Sequence, residues 1–120
     1  MRILVIDDNV DCAFMLRTLI ERCGHEADAA ITAEEGLCRA REWQPDLIFL
    51  DIAMPSTDGY RLAAQLREEV TLNSTKIVAV SGYKPDHVQC AWAGIDAYLL
   101  KPPSLKQLTE FFDCDRLQAA

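Results

Sequence analysis

Three short apolar runs, at residues 3–6 (Ile-Leu-Val-Ile), 47–50 (Leu-Ile-Phe-Leu) and 77–80 (Ile-Val-Ala-Val), are continuous rather than alternating. A strand with one face in water carries a polar residue at every second position. Continuous runs are therefore expected of strands buried on both faces of a parallel sheet. Such a sheet needs a crossover between neighbouring strands and helices over both faces. The intervals supply them. Residues 10–23 set Val10, Phe14, Leu16 or Ala13, Leu19, Ile20 and Cys23 mostly on one helical stripe, and Gly24 ends the helix. Thr32-Ala-Glu-Glu35 reads as a capping box opening a helix to about Trp43, and Pro45-Asp46 breaks the chain after it. Three further helices fit the pattern. One covers residues 60–69, and a second has Pro85-Asp86 in its first turn and Gly94 at its end. The last has Ser104 as N-cap, with Leu105, Leu108, Phe111 and Phe112 facing inward.

Two weaker strands complete the set. Residues 25–30 are half polar and read as an edge strand. Residues 97–100 are brief and are stopped by Lys101-Pro102-Pro103. The order is β-α five times over, which predicts an α/β fold with a doubly wound five-stranded parallel sheet and helices on both faces. The 120 residues suit a single domain over residues 1–120, with no linker and no attached output domain.

Charge narrows the function. With 19 acidic against 12 basic side chains the formal net charge is −7, which argues against non-specific binding to nucleic acid or to an anionic membrane. It suits a divalent cation or a basic patch on a partner protein. The run at residues 3–6 is far too short for a signal sequence or a membrane span. Five cysteines, at positions 12, 23, 38, 90 and 114, are scattered without a C-x-x-C pair. An odd count with no secretory signal predicts reduced thiols in the cytoplasm, packing as small apolar fillers of helix faces. His25 and His87 stand alone without ligand spacing, so neither is expected to hold a metal.

In open α/β sheets, ligands bind beyond the carboxyl ends of the strands. Asp7 and Asp8 follow the first strand, Asp51 ends the third, Ser81 follows the fourth and Lys101 the fifth. Taken singly, each has a structural explanation: an aspartate caps the next helix, a serine turns the chain, a lysine reaches solvent. Jointly, four strand ends converge on one chemistry. Three neighbouring carboxylates repel unless a cation compensates, and an all-oxygen set favours a hard ion such as Mg²⁺, which keeps waters for a phosphate. Lys101 supplies a fixed positive charge and Ser81 a hydroxyl, each suited to a phosphate oxygen. Asp51 is left as the nucleophile, a carboxylate able to become an acyl phosphate.

The chain resembles the receiver domain of bacterial two-component response regulators. The resemblance rests on Ile3-Leu-Val-Ile-Asp-Asp-Asn9, Asp46-Leu-Ile-Phe-Leu-Asp-Ile-Ala-Met-Pro55, Asp58-Gly59, Val78-Ala-Val-Ser-Gly82 and Gly94-Ile-Asp-Ala-Tyr-Leu-Leu-Lys-Pro102, which come in the family's order across nearly the whole chain. It implies a flavodoxin-like fold with strand order 2-1-3-4-5, and a phosphoryl group received on Asp51 from a histidine kinase or a histidine phosphotransfer protein. It also implies Asp8 as direct Mg²⁺ ligand, Asp7 as the acid reaching the metal through water, and Ala53 as a metal ligand through its backbone carbonyl. By position Ser81 matches the switch hydroxyl, Lys101 the phosphate-binding lysine and Tyr98 the aromatic whose rotamer reports phosphorylation. Tyr98, Trp92 and the last helix lie on the face that receivers use for partners or dimers, so a downstream protein target or a homodimer is implied there. The chain departs from common family patterns at Ser81-Gly82, where many relatives carry Thr-Ala, and at Pro103, which replaces an aromatic.

Two other readings compete. A pseudo-receiver acting only as a protein-binding module would be expected to have lost part of the acidic pocket, yet every member is present. A turnover phosphatase with an aspartyl nucleophile often has Asp-x-Asp after its first strand and a cap domain, whereas here the two acids are adjacent.

Overall fold

The computed structural model describes residues 1–55 and 58–114. Five strands, β1 (Arg2–Ile6), β2 (Glu26–Ala30), β3 (Leu47–Asp51), β4 (Lys76–Ser81) and β5 (Ala97–Leu100), alternate with five helices. These are α1 (Val10–Arg22), α2 (Ala33–Trp43), α3 (Gly59–Glu68), α4 (His87–Ala93) and α5 (Leu105–Leu108). The strands pair in parallel in the order β2-β1-β3-β4-β5, the flavodoxin-like arrangement. Half-polar β2 sits at one edge and brief β5 at the other, because a strand covered on one side only tolerates polar positions.

The continuous runs are buried on both sides, as their composition requires. Leu4, Ile6, Ile48, Leu50 and Ile77 face Ala40, Leu62, Ala63, Leu66 and Ala93 from α2, α3 and α4. Ile3, Val5, Leu47, Phe49, Val78 and Val80 face Ala13, Ile20, Leu108 and Phe112 from α1 and the last segment. Each large aliphatic side chain fully buried in this way contributes about 1.5–3 kcal/mol.

The helix ends follow local chemistry. Asn9, Thr32, Asp58, Asp86 and Ser104 each cap a helix by accepting a backbone N–H. Thr32 accepts from Glu35, while the Glu35 carboxylate accepts from Ile31, so the expected box is only half closed. The reciprocal box forms instead between Ser104 and Gln107. Gly24, at φ 95°, lets the chain leave α1 toward β2. At Gly59 a Cβ would lie 2.5 Å from the Cα of Ile52, so only glycine lets α3 start against the end of β3.

Several expectations are corrected. On α1, Val10 and Phe14 are exposed while Ala13 and Ile20 are buried: the apolar stripe is wider than the contact, and the side toward the sheet takes the smaller residue. Pro85 precedes the Asp86 cap rather than lying in the first turn of α4. Leu105 is exposed, because α5 is a single turn before the chain bends to place Phe111 and Phe112 edge-on against Phe49. A 3-10 turn at Val70–Leu72 follows α3 unannounced by periodicity.

The expectation of five reduced thiols fails. Cys23 and Cys114, 91 residues apart, form a disulfide, whereas Cys12, Cys38 and Cys90 are free. Nor do four of the five fill helix faces: Cys12 and Cys38 are exposed, Cys23 caps α1 and Cys114 lies beyond α5, and the shared burial of the last two brings their sulfurs together.

One side chain organises the sheet end opposite the strand carboxyl ends. The Arg67 guanidinium donates to the carbonyls of Gly94, Leu72 and Thr75 at 2.8, 3.1 and 2.7 Å, and to the Asp96 carboxylate at 2.5 Å. Asp96 also accepts the Ile77 N–H at 2.8 Å, tying α3, β4 and the approach to β5 together.

Candidate functional site

The residues singled out at the strand ends lie at the carboxyl edge of the sheet. Asp7 follows β1 and is held from two sides: its backbone N–H donates to Ala30 at 3.0 Å, and its Oδ1 accepts the Asn9 N–H at 2.9 Å. Asp51 ends β3, where it is buried, and its Oδ1 accepts the Ala53 N–H at 3.1 Å. Asp8 is exposed beside them. Carboxylate oxygens of Asp7, Asp8 and Asp51 all lie within 4.8 Å of one another.

Lys101 closes the cluster from β5. Its Nζ lies 3.1 Å from Asp7 Oδ2 and 3.5 Å from Asp51 Oδ2. The Lys101 N–H donates to the Ser81 carbonyl at 2.8 Å, which fixes the lysine to the end of β4. Ser81 is buried, and its Oγ accepts the Tyr83 N–H at 3.2 Å.

Three carboxylates against one ammonium leave an excess of negative charge in a partly dry site. Burial pushes the Asp51 carboxyl above its ordinary 3.8, and the neighbouring Asp7 charge adds to this. The Ala53 N–H and Lys101 pull the other way without cancelling it. Burial would lower Lys101, but the hydrogen bond to Asp7 and the charges of Asp51 and Asp7 outweigh it and hold the ammonium above 10.5. The lysine is thus a permanent cation at neutral pH. An all-oxygen set of this spacing, short of positive charge, fits a hard divalent cation.

Tyr98 is the residue the structure does not bring to the cluster. Its hydroxyl donates to the Tyr83 carbonyl at 2.9 Å, outside the acidic edge. Ala53 is placed by its N–H on Asp51. Reading strand ends alone passes over two contributors. Asn9 caps α1 and steadies Asp7, and an asparagine directly before a helical stripe is its signal. Tyr83 holds Ser81 through its N–H and Tyr98 through its carbonyl, and backbone roles of that kind leave no trace in residue type.

The family model for the response regulator receiver domain matches residues 3–113. The chain belongs to this family. The receiver is 35% identical over 109 residues to the transcriptional regulatory protein ResD of Bacillus subtilis, which covers 89% of this chain but 44% of ResD. The chain therefore spans less than half the length of that relative. It is 31% identical over 110 residues to the polar-differentiation response regulator DivK of Brucella ovis, covering 90% of this chain and 89% of DivK. Among solved structures it superposes on the response regulator TrrA of Thermotoga maritima, in complex with Mg(2+)-BeF, with a TM-score of 0.80 and 31% identity. That match covers 91% of this chain and 93% of the other. Receivers belong to two-component signalling, and among the described residues no helix is long and apolar enough to cross a membrane.

Proposed function

We propose that this receiver is a phosphorylatable switch that takes a phosphoryl group on Asp51 from a phosphohistidine of a histidine kinase or histidine phosphotransfer protein. The observation that carries the reading is the convergence of Asp7, Asp8 and Asp51 within 4.8 Å, with Lys101 bridging two of them. An Asp51 oxygen attacks phosphorus, the bond from phosphorus to the donor nitrogen breaks, and the imidazole leaves with its electron pair. Asp8 and Asp51, the carbonyl of Ala53, and Asp7 through water would hold Mg²⁺. The bound ion would offset the charge on the transferring group. Support for the ion comes from the all-oxygen donor set and from TrrA, which was solved with Mg(2+)-BeF.

Lys101 is already a cation between two carboxylates and can turn toward a phosphoryl oxygen, while the Ser81 hydroxyl can donate to another. Drawing Ser81 inward would pull on Tyr83, and through its carbonyl would release Tyr98. The face formed by α4, β5 and α5 would then change its affinity for a downstream protein. Exposed Val88, Trp92 and Leu100 on that face favour a protein partner over nucleic acid.

Incubation with Mg²⁺ and acetyl phosphate followed by intact mass measurement tests the proposal. One phosphoryl group is expected on the wild type and none on Asp51→Asn. No gain on the wild type, or an equal gain on the variant, overturns it and leaves the pseudo-receiver reading.

A further inference from the structure

The Cys23–Cys114 bond joins two arms that both begin at the acidic pocket. One arm is α1, which starts just past Asp8, and Cys23 forms its C-terminal cap. The other runs from Lys101 through Pro102 and α5 to Cys114. Between the arms lies a cavity of about 400 Å³. Cys12, Leu16 and Leu19 of α1 line one side and Pro103 and Leu108 the other, while Asp7, Asp51 and Lys101 also reach it. Neither bonded cysteine lines this cavity; the disulfide joins the two arms beyond it, past Leu19 and Leu108. His25 reinforces it there, by a ring nitrogen against the Asp113 carbonyl and by an edge contact with Phe112 at 5.6 Å between ring centres.

Two observations fit a bond that forms and opens without loss of the fold. Cys12 and Cys38 are exposed free thiols, which suits a reducing compartment better than one where every thiol is oxidised. Cys23 and Cys114 are also 2% and 5% exposed within a continuous apolar cluster, so as thiols they still pack as small hydrophobes. The segment therefore has a packed position in either redox state, and the bond decides how firmly it is held.

We propose that Cys23 and Cys114 are a reversible dithiol–disulfide pair that sets how readily the two arms move at the acidic pocket, and so the rate of phosphoryl uptake. The oxidant is a small-molecule disulfide of the glutathione class. When the segment beyond α5 opens, the thiolate of Cys114 attacks a sulfur of that disulfide and expels one thiolate, leaving a mixed disulfide. The second cysteine, as thiolate, attacks the protein sulfur and expels the other. Two protein thiols lose two electrons and their protons, and one small disulfide becomes two thiols. With the far end closed, the arms yield less as a phosphoryl group enters, so uptake is slower in the oxidised form. This last step rests on the acceptor role of Asp51, whereas the redox pair does not.

The full chain is equilibrated across ratios of reduced to oxidised glutathione, alkylated, and mapped by peptide mass. The Cys23 and Cys114 peptides are expected to pass from alkylated to joined as the buffer becomes oxidising, in Cys38→Ser as in the wild type, and never in Cys114→Ser. Alkylation of both at every ratio, or a bond that survives every ratio, overturns the pair. Acetyl phosphate uptake is then timed on both forms, with a several-fold slower rate expected for the disulfide form, and hydrogen exchange is followed at residues 102–112. Equal uptake rates overturn the coupling. Should neither form take up phosphate, the acceptor reading fails by itself and exchange decides the coupling: slower exchange in the oxidised form supports it, and equal exchange overturns it.

Discussion

The two sides of the sheet are built to different standards. From β1 to α3 the chain supplies the three carboxylates, at or just past the strand ends, and the helices run for 13, 11 and 10 residues. From β4 onward the helices shrink to 7 and 4 residues. Large apolar side chains stand in solvent in both halves, Phe14 and Met15 in the first and Tyr83, Val88 and Trp92 in the second, but α4 and α5 each bury one residue, Ala93 and Leu108, against five in α3. The acidic cluster is thus fixed on the side with long helices, while its lysine and its serine hang from the side with short ones. Helices with fewer buried residues open locally at lower cost, so a change of charge at the shared edge is expected to move α4 and α5 and leave α3 in place.

Asp51→Asn makes the deepest cut into this contrast. It is expected to abolish phosphoryl uptake, read by intact mass, while leaving the far-ultraviolet circular dichroism of the sheet unchanged. Opening the Cys23–Cys114 bond comes next. A closed loop of this length is worth about 4–5 kcal/mol of unfolding free energy in the chain-entropy account. Urea unfolding of oxidised Cys114→Ser against the oxidised wild type should show most of that difference, and reductant should remove it.

Arg67→Ala should cost about 1–3 kcal/mol, because the part-buried carbonyls of Gly94 and Thr75 and the Asp96 carboxylate lose their donor. Hydrogen exchange should place the loss where α3, β4 and the start of β5 meet, with β1 and β2 spared. A uniform loss would show that the sides are not separable.

The pH dependence of Asp51→Asn gives a smaller effect with a fixed sign. Burial raises the Asp51 carboxyl above 3.8, so the folded chain binds its proton more readily than the unfolded chain does. Ionised Asp51 therefore opposes folding at neutral pH, and that opposition fades as the pH falls through the raised value and is gone below 3.8. Melting curves should show the variant above the wild type near neutrality and level with it in acid. Smallest of all, Val88→Ser on the exposed face should change stability by less than about 0.5 kcal/mol, as judged by urea unfolding.

Sequence alone carries the fold because the strands at residues 3–6, 47–50 and 77–80 are buried on both faces and must be continuously apolar. The acidic site follows from the fold, since parallel strands deliver their ends to one edge, and Asp51 is the last residue of β3 while Asp7 and Lys101 directly follow β1 and β5. Other features lie beyond such patterns. The pairing of Cys23 with Cys114 depends on the C-cap of α1 meeting the segment beyond α5 across 91 residues, and no spacing rule reaches that far. The exposure of Phe14 depends on how α1 rolls on the sheet, which a stripe wider than its contact does not fix. The grip of Tyr83 on both Ser81 and Tyr98 is made by backbone atoms common to every residue.

The Arg67 cluster has a mechanical consequence. It grips the Gly94 carbonyl, directly behind the last residue of α4, and so pins that helix at the end remote from the acidic edge. A rod of 7 residues pinned at one end is a lever about 10 Å long, and a tilt displaces its free end most. That free end is Asp86, whose backbone N–H rests on the Tyr60 hydroxyl at 3.2 Å, one short loop from Ser81 and Tyr83. A small pull beside Asp51 would thus swing Val88, near the free end, through a wider arc than Trp92, near the pin.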